Sequence, residues 1–280
     1  ALSPMQTLSI GATKITFLPD SLTKLTATAT YPTSSAEAWQ PYVQFTDGEG
    51  NMVSSIGGYL IQTEDRNIVV DLGMNPEGIT FPDFGTLKGE SFLTNFDKTG
   101  VARAAVDTVF LTHMHLDHVG WAAEKGGDAS TPAFPNAQYV CTEAEWKTWE
   151  GGDNPAGPSL AVQQAIFKSN LRFIAYGDAL TEGISVVDSA GHTPGHASLM
   201  IESDGQRLCI AGDVIHGKHQ FDHPDWIMAF DAMPEVAIAT RKRLFAELAQ
   251  PNTITAFNHF ADGVFGRITA TNNGYHWETI

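Results

Sequence analysis

Apolar and polar residues alternate along residues 8–18, the two-residue period of a strand with one buried face. Residues 54–63 and 67–71 repeat the strand pattern and flank Glu64-Asp65-Arg66, so they are expected to form a hairpin. A short helix is expected to end over 102–105. It is followed by 107–112, an apolar and β-branched run suited to a buried strand. Residues 138–141 read as a further strand, and 143–150 and 159–170 carry apolar positions at helical spacing. In the second half, 172–176, 184–188, 197–202 and 207–211 are strand-like, and Ser203-Asp204-Gly205-Gln206 makes a turn between the last two. Residues 234–248 form a helix with Pro234 at its start. A strand over 253–258 runs into His259, and 267–271 and 276–279 close the chain around Asn272-Asn273-Gly274. Segments 81–98 and 151–158 are loop-rich and are expected to form a lid or pocket wall.

Many strands with helices between and outside them predict two packed sheets with helices on their outer faces. No Pro/Gly/Ser-rich linker divides the chain, so the expectation is one domain over 1–280. The content is 42% hydrophobic and 17% charged, which is ordinary for a chain that buries a sizeable core. No apolar run is long enough to span a membrane. The formal charge of −16 argues against nucleic acid and against an anionic membrane surface, because both select clustered Lys and Arg. It is compatible with a small neutral or weakly polar substrate, and a homodimer is compatible with everything above. Two cysteines make no disulfide framework, and Cys209 in Leu208-Cys209-Ile210-Ala211 reads as a core residue. The chain begins Ala1-Leu2-Ser3-Pro4 without a signal-peptide pattern. That fits a cytoplasmic protein or an exported one whose leader has been removed.

The chemistry concentrates in Thr112-His113-Met114-His115-Leu116-Asp117-His118. A chance H-x-H-x-D-H is on the order of one in a thousand per chain. At a strand end, His113 and His115 point to the same side, because side chains alternate. The chain then turns, so Asp117 and His118 approach from a second direction, and one short segment can serve two metal ions. Four ligands are too few for two metals. Three more candidates stand where strands are expected to end: His192 in Gly191-His192-Thr193-Pro194-Gly195-His196, Asp213 after Ala211-Gly212, and His259. Imidazole with carboxylate suits zinc, with manganese, cobalt or iron as alternatives. Two such cations would hold a bridging hydroxide that attacks a carbonyl carbon or a phosphorus. Asp117 and Asp213 are the candidate proton acceptors.

With these residues the chain resembles the metallo-β-lactamase superfamily. The likeness runs through Asp71 in Val69-Val70-Asp71-Leu72-Gly73, the H-x-H-x-D-H segment, Gly191 to His196, Asp213 and His259. The resemblance implies an α/β fold, the αβ/βα four-layer sandwich. It implies that His113, His115 and His192 hold one metal, that Asp117, His118 and His259 hold the second, and that Asp213 bridges both. By the same resemblance Asp71 orients a ligand histidine and His196 is structural. True β-lactamases lack the bridging aspartate, and flavodiiron proteins have Glu where this chain has His115. The chain is most similar to the methyl parathion hydrolase-like group, which includes some N-acyl homoserine lactonases. The likeness rests on Gly212-Asp213-Val214-Ile215-His216, Gln220-Phe221-Asp222 and Gly274-Tyr275-His276-Trp277. Many lactonases place Tyr three residues after the bridging Asp. This chain has His216 there, as phosphotriesterase-like members do, which makes His216 a candidate contact to substrate or leaving group.

The expected activity is therefore hydrolysis of a lactone or carboxyl ester with two zinc ions. Organophosphate triester hydrolysis is the runner-up, and an iron-dependent redox enzyme on the same fold is the rival of another class. Candidate pocket aromatics are Phe81, Phe84, Phe92, Trp149, Phe260 and, foremost, Trp121 and Phe221, which lie near ligands in sequence.

Overall fold

Glycine at position 11 sets the first departure from the expected pattern. In the computed structural model, which describes residues 3–123 and 132–280, Gly11 has φ +53°. That left-handed conformation costs glycine little. It reverses the chain between β1 (Gln6–Ile10) and β2 (Thr13–Thr26). The single strand expected over 8–18 is thus a hairpin. A change of phase marks it in the sequence, since Leu8 and Ile10 are even-numbered and Ile15 and Phe17 odd.

After α1 (Ala27–Thr30) and a kinked 3-10 segment, Glu37–Phe45, come β3 (Asn51–Gln62), β4 (Asn67–Val70), β5 (Ile79–Phe81) and β6 (Gly85–Leu87). Then follow α2 (Phe92–Asp97), β7 (Thr108–Phe110), β8 (Gln138–Cys141), α3 (Glu143–Trp149), α4 (Leu160–Lys168) and β9 (Arg172–Phe173). The second half holds β10 (Ala179–Thr181), β11 (Ile184–Asp188), β12 (Ala197–Ser203), β13 (Gln206–Ile210), α5 (His219–Asp222), α6 (Pro234–Leu248), β14 (Thr253–Ala256), β15 (Phe265–Thr271) and β16 (Gly274–Thr279). The caps follow the sequence. Thr142 and Ser159 accept backbone N–H bonds from Glu145 and Val162 at the starts of α3 and α4, and Pro234 opens α6.

Among the described residues β1 to β9 form one sheet and β10 to β16 another. In the first, β4, β7, β8 and β9 run parallel, so their C-terminal ends share an edge. In the second, β11, β13 and β14 point the same way. The two-residue period sorts the core into layers. Ile68, Val70, Phe110 and Val140 face Leu199, Ile201, Leu208 and Ile210 between the sheets. Val69, Val109, Tyr139 and Cys141 face outward onto α2, α3 and α4. Cys209 and Met200 face α6 through Leu244, Phe245 and Leu248. This is the expected four-layer sandwich, helix–sheet–sheet–helix.

The stretch 81–98 is less loop-like than expected. Phe92 and Phe96 of α2 are fully buried. The helix starts where it does because a distant carboxylate holds its first N–H groups: Asp20 Oδ1 accepts from Glu90, Ser91 and Phe92 at 2.6, 2.9 and 3.1 Å. Nothing local signals that cap. The turn expected to end a helix before 107 is a 3-10 turn, Arg103–Ala105. Among the described residues no helix is long and apolar enough to cross a membrane.

Candidate metal centre

The chemistry-bearing side chains leave the sheets at the C-terminal ends of strands. The segment from Thr112 to His118 follows β7, Asp213 follows β13, and His259 follows β14. Gly212 makes the turn into Asp213 with φ +65°, and a Cβ there would meet His196 Nε2 at 2.6 Å. Only glycine lets the chain pass so close. The two sheets are stitched at this edge by Ala197 N–H to Thr112 O, 2.9 Å.

All seven sequence-predicted ligands converge, and each is buried. Ligand atoms of His113, His115, His192 and Asp213 lie within 4.8 Å of one another, as do those of Asp117, His118, Asp213 and His259. Asp213 belongs to both sets. Its Oδ2 lies 3.4 Å from His113 Nε2, 3.2 Å from His118 Nε2, 3.3 Å from His192 Nε2 and 3.1 Å from His259 Nε2. Asp117 Oδ2 is 3.5 Å from the Nε2 atoms of His118 and His259. His115 turns Nδ1 inward, 2.9 Å from His192 Nε2. His113 Nε2, His118 Nε2 and Asp213 Oδ1 are buried without a hydrogen-bond partner. Buried polar atoms are rarely left so. Imidazole nitrogens and carboxylate oxygens gathered in this way fit a divalent metal.

The electrostatics agree with that fit. Burial, reinforced by neighbouring His118 and His192 respectively, holds His113 and His115 well below the usual imidazole range. They are neutral, the form that binds a metal. Burial alone would push Asp213 up, but His118, His259, His113 and His216 outweigh it and hold the carboxyl well below its ordinary value. Burial likewise lowers His118, yet Asp213, Asp117 and Asp71 raise it well above the usual range. The negative field that favours a proton there equally favours a cation.

The ligands are held from behind. Asp71 Oδ2 sits 2.7 Å from His118 Nδ1, and its carboxylate accepts the backbone N–H and hydroxyl of Thr112 at 2.8 and 2.7 Å. Asp231 Oδ1 sits 2.7 Å from His192 Nδ1. His259 Nδ1 meets Ser55 O at 2.8 Å. His196 Nε2 accepts the Asp213 backbone N–H at 2.9 Å, while its Nδ1 lies 2.8 Å from Ser189 Oγ. Glu145, fully buried, accepts from Met114 N–H (2.8 Å), Thr193 Oγ1 (2.7 Å), Gly195 N–H (3.1 Å) and Trp149 Nε1 (2.8 Å). Asp231, Glu145 and the buried Arg241 of α6, whose Nη2 lies 3.5 Å from Asp231 Oδ2, have no motif that marks them. The sequence offers one signal for them: acidic or basic residues inside otherwise apolar helix faces or turns.

A cavity of about 60 Å³ opens over the two ligand sets. Leu25, Met52, Phe81, Leu116, Met228 and Phe230 supply its apolar wall, and among the described residues no Lys or Arg lines it. His216 lines it too, with Nε2 3.2 Å from Asp213 Oδ2. Trp121 and Phe221 do not. Trp121 packs in the layer beneath α2 and donates Nε1–H to Asp20 Oδ2 at 3.1 Å. Phe221 is stacked on Phe245 and Trp277 in the layer beneath α6. Each is near a ligand along the chain, but its side chain packs into an outer apolar layer and does not reach the cavity. Of the other aromatics, Phe84 backs Phe230, Trp149 lies edge-on to His115, and Phe92 is core.

A four-layer sandwich with a His/Asp cluster at one edge of both sheets defines a class of metallo-hydrolase. The family model of the metallo-beta-lactamase superfamily matches residues 58–259. The chain belongs to that superfamily and is a metal-dependent hydrolase. It is 25% identical over 215 residues to an N-acyl homoserine lactonase of Bacillus sp, covering 72% of this chain and 79% of that protein. The corresponding enzyme of Bacillus cereus is 24% identical over 225 residues, 75% of this chain and 83% of that protein. Among solved structures, AidC, a dizinc quorum-quenching lactonase in complex with a product, N-hexnoyl-L-homoserine, matches with a TM-score of 0.82 at 22% identity, covering 100% of this chain and 98% of that one. The hydrolase AbOPH of the beta lactamase superfamily matches with a TM-score of 0.83 at 25% identity, again over 100% and 98%.

Proposed function

We propose that the chain is a single-domain, binuclear zinc hydrolase that opens a lactone or cleaves a carboxyl ester, such as an N-acyl homoserine lactone. One observation carries the reading: Asp213 is the common vertex of two buried ligand sets. His113, His115 and His192 would hold one ion, Asp117, His118 and His259 the other, and Asp213 both. Two zinc ions there would supply a hydroxide at neutral pH and polarise the substrate's oxygen. The protein's own residues do the rest. Asp117 and Asp213 would accept a proton, Asp71 and Asp231 would fix the rings of His118 and His192, and the cavity's apolar wall would face the substrate. The absence of Lys and Arg among its described lining residues suits a neutral substrate. The Bacillus lactonase relatives support the lactone in particular.

Methyl phosphotriester hydrolysis is the second reading. His216 beside Asp213 favours it, because phosphotriesterase-like members of the group have histidine there. The test is a zinc-loaded panel of a homoserine lactone, an aryl ester and a methyl phosphotriester. Turnover fastest on the lactone or ester is expected. Turnover fastest on the phosphotriester would reverse the order of the two readings. No hydrolysis of any of the three, or a single iron with oxygen uptake, would overturn both.

A further inference from the structure

Four of the five ligand histidines meet a hydrogen-bond partner on the nitrogen turned away from the centre. His113 Nδ1 lies 3.0 Å from Thr112 Oγ1, His118 Nδ1 2.7 Å from Asp71 Oδ2, His192 Nδ1 2.7 Å from Asp231 Oδ1 and His259 Nδ1 2.8 Å from Ser55 O. His115 is the exception. It turns Nδ1 inward, and among the described residues nothing hydrogen-bonds its Nε2. The outer bond sets which way an imidazole faces its metal. Without it, the torsion about Cβ–Cγ is broad. His115 therefore needs another restraint.

Trp149, the last residue of α3, is in place to supply it. Its ring meets that of His115 with centroids 5.4 Å apart and planes 67° apart. The indole does not line the cavity over the ligand sets, so contact with substrate does not account for its place. It is itself pinned twice. Its Nε1–H donates to Oε1 of the buried Glu145 at 2.8 Å, one turn earlier on α3. The same oxygen accepts the N–H of Met114, next to His115, at 2.8 Å. The loop after α3 also runs against the indole at Gly157, where a Cβ would stand 2.3 Å from Trp149 Cε3. Gly157 is not among the glycines with positive φ, so room for the ring, and not the backbone, explains glycine there.

We propose that Trp149 is the positioning residue of His115. Its ring, pinned by Glu145 and Gly157, does for His115 what Asp71, Asp231 and the Ser55 carbonyl do for His118, His192 and His259. The inference rests on the two-ion centre proposed above and adds a residue that governs one ion of the two, that of His113, His115 and His192. An aromatic edge contact holds a ring less firmly than a hydrogen bond to a carboxylate, so His115 is the most easily turned of the ligands. Losing the contact should weaken that ion roughly three- to tenfold and leave the other as it is.

The test is chelator competition on the zinc-loaded protein, without substrate. Trp149→Leu removes the ring, and Gly157→Ala pushes it from its place. In both, one ion should be lost roughly three- to tenfold more readily while the other is held as in wild type. Trp149→Phe loses the bond to Glu145 but keeps an aromatic edge, and should restore retention to within about twofold of wild type. Trp146→Leu is the control for packing alone. Trp146, also on α3, stacks on Phe167 and among the described residues meets no ligand ring, so both ions should stay as in wild type. Wild-type retention in Trp149→Leu, or an equal loss in Trp146→Leu, overturns the proposal. A wild type that binds only one ion overturns the two-ion reading instead, and side-chain NMR of the metal-free protein then decides the role of Trp149. The His115 ring signals should be single in wild type and doubled or broadened in Trp149→Leu, and signals alike in both refute it.

Discussion

His118 and His192 sit in the two halves of the metal centre, and each is backed by a buried carboxylate at 2.7 Å. The backing differs in kind. Asp71, at the end of β4, adopts φ +61° and is held by two neutral donors of one residue, Thr112. That support comes from the ligand segment itself, since Thr112 adjoins His113. Asp231 is held instead by a charge. Arg241 of α6 is fully buried, with Nη2 3.5 Å from Asp231 Oδ2 and Nε donating to Val214 O at 3.0 Å. Nη1 donates to Pro224 O at 2.5 Å. One guanidinium thus ties the turn after Asp213, the turn at Pro224 and the carboxylate behind His192. Both halves are steadied across long chain separations; they differ in that the His118 half rests on uncharged donors and the His192 half on a buried guanidinium.

The comparison can be broken first at the residue both halves share. Asp213→Ala should lower turnover roughly 10³-fold and reduce bound zinc in both halves, read by metal analysis beside the ester assay. Wild-type turnover would remove Asp213 from the centre. Next, Arg241→Met leaves Asp231 buried with His192 as its remaining partner and no guanidinium, and should cost about 3–5 kcal/mol in urea unfolding. Thr112→Val removes the hydroxyl's bond to Asp71 and its 3.0 Å contact with His113 Nδ1 but no charge, and about 1–2 kcal/mol is expected. Equal losses would mean that the two kinds of backing do not differ. Third, Asp231→Asn and Asp71→Asn should each weaken zinc about 10- to 100-fold in chelator competition. If only one of them does, a single half governs retention of the metal. The smallest effect is expected from Trp121→Phe, about 1 kcal/mol for the bond to Asp20, with zinc content and turnover as in wild type. A substrate-dependent change in KM would return Trp121 to the pocket.

Residues whose position follows from the end of their own strand were legible in the sequence. The seven ligands stand at strand ends, where a two-residue period followed by a turn dictates direction, and Asp71 closes such a strand. The helices over 143–150 and 159–170 needed only apolar spacing, and that over 234–248 the same spacing with Pro234 at its start. Residues marked by no strand end and no motif were not legible. Asp20 caps a helix more than 70 positions away, and Arg241 works on carbonyls 17 and 27 residues back. Trp121 and Phe221 failed for a related reason. Closeness along the chain to His118 or Asp213 says nothing of which face of a sheet a side chain takes. The hairpin at Gly11 was written in the change of phase between Ile10 and Ile15, a signal hidden by reading the stretch as one strand.

Glu145 has a consequence for how the centre survives the loss of its metals. Its carboxylate clamps Met114, between His113 and His115, to Thr193 and Gly195, on either side of Pro194 in the loop that carries His192. Ligands from both sheets are therefore fastened together by protein alone. Stripping the metal should leave the loops in register, and returning it should not require them to find each other again. Reloading then becomes a matter of diffusion and proton release, as quick in an old molecule as in a newly made one.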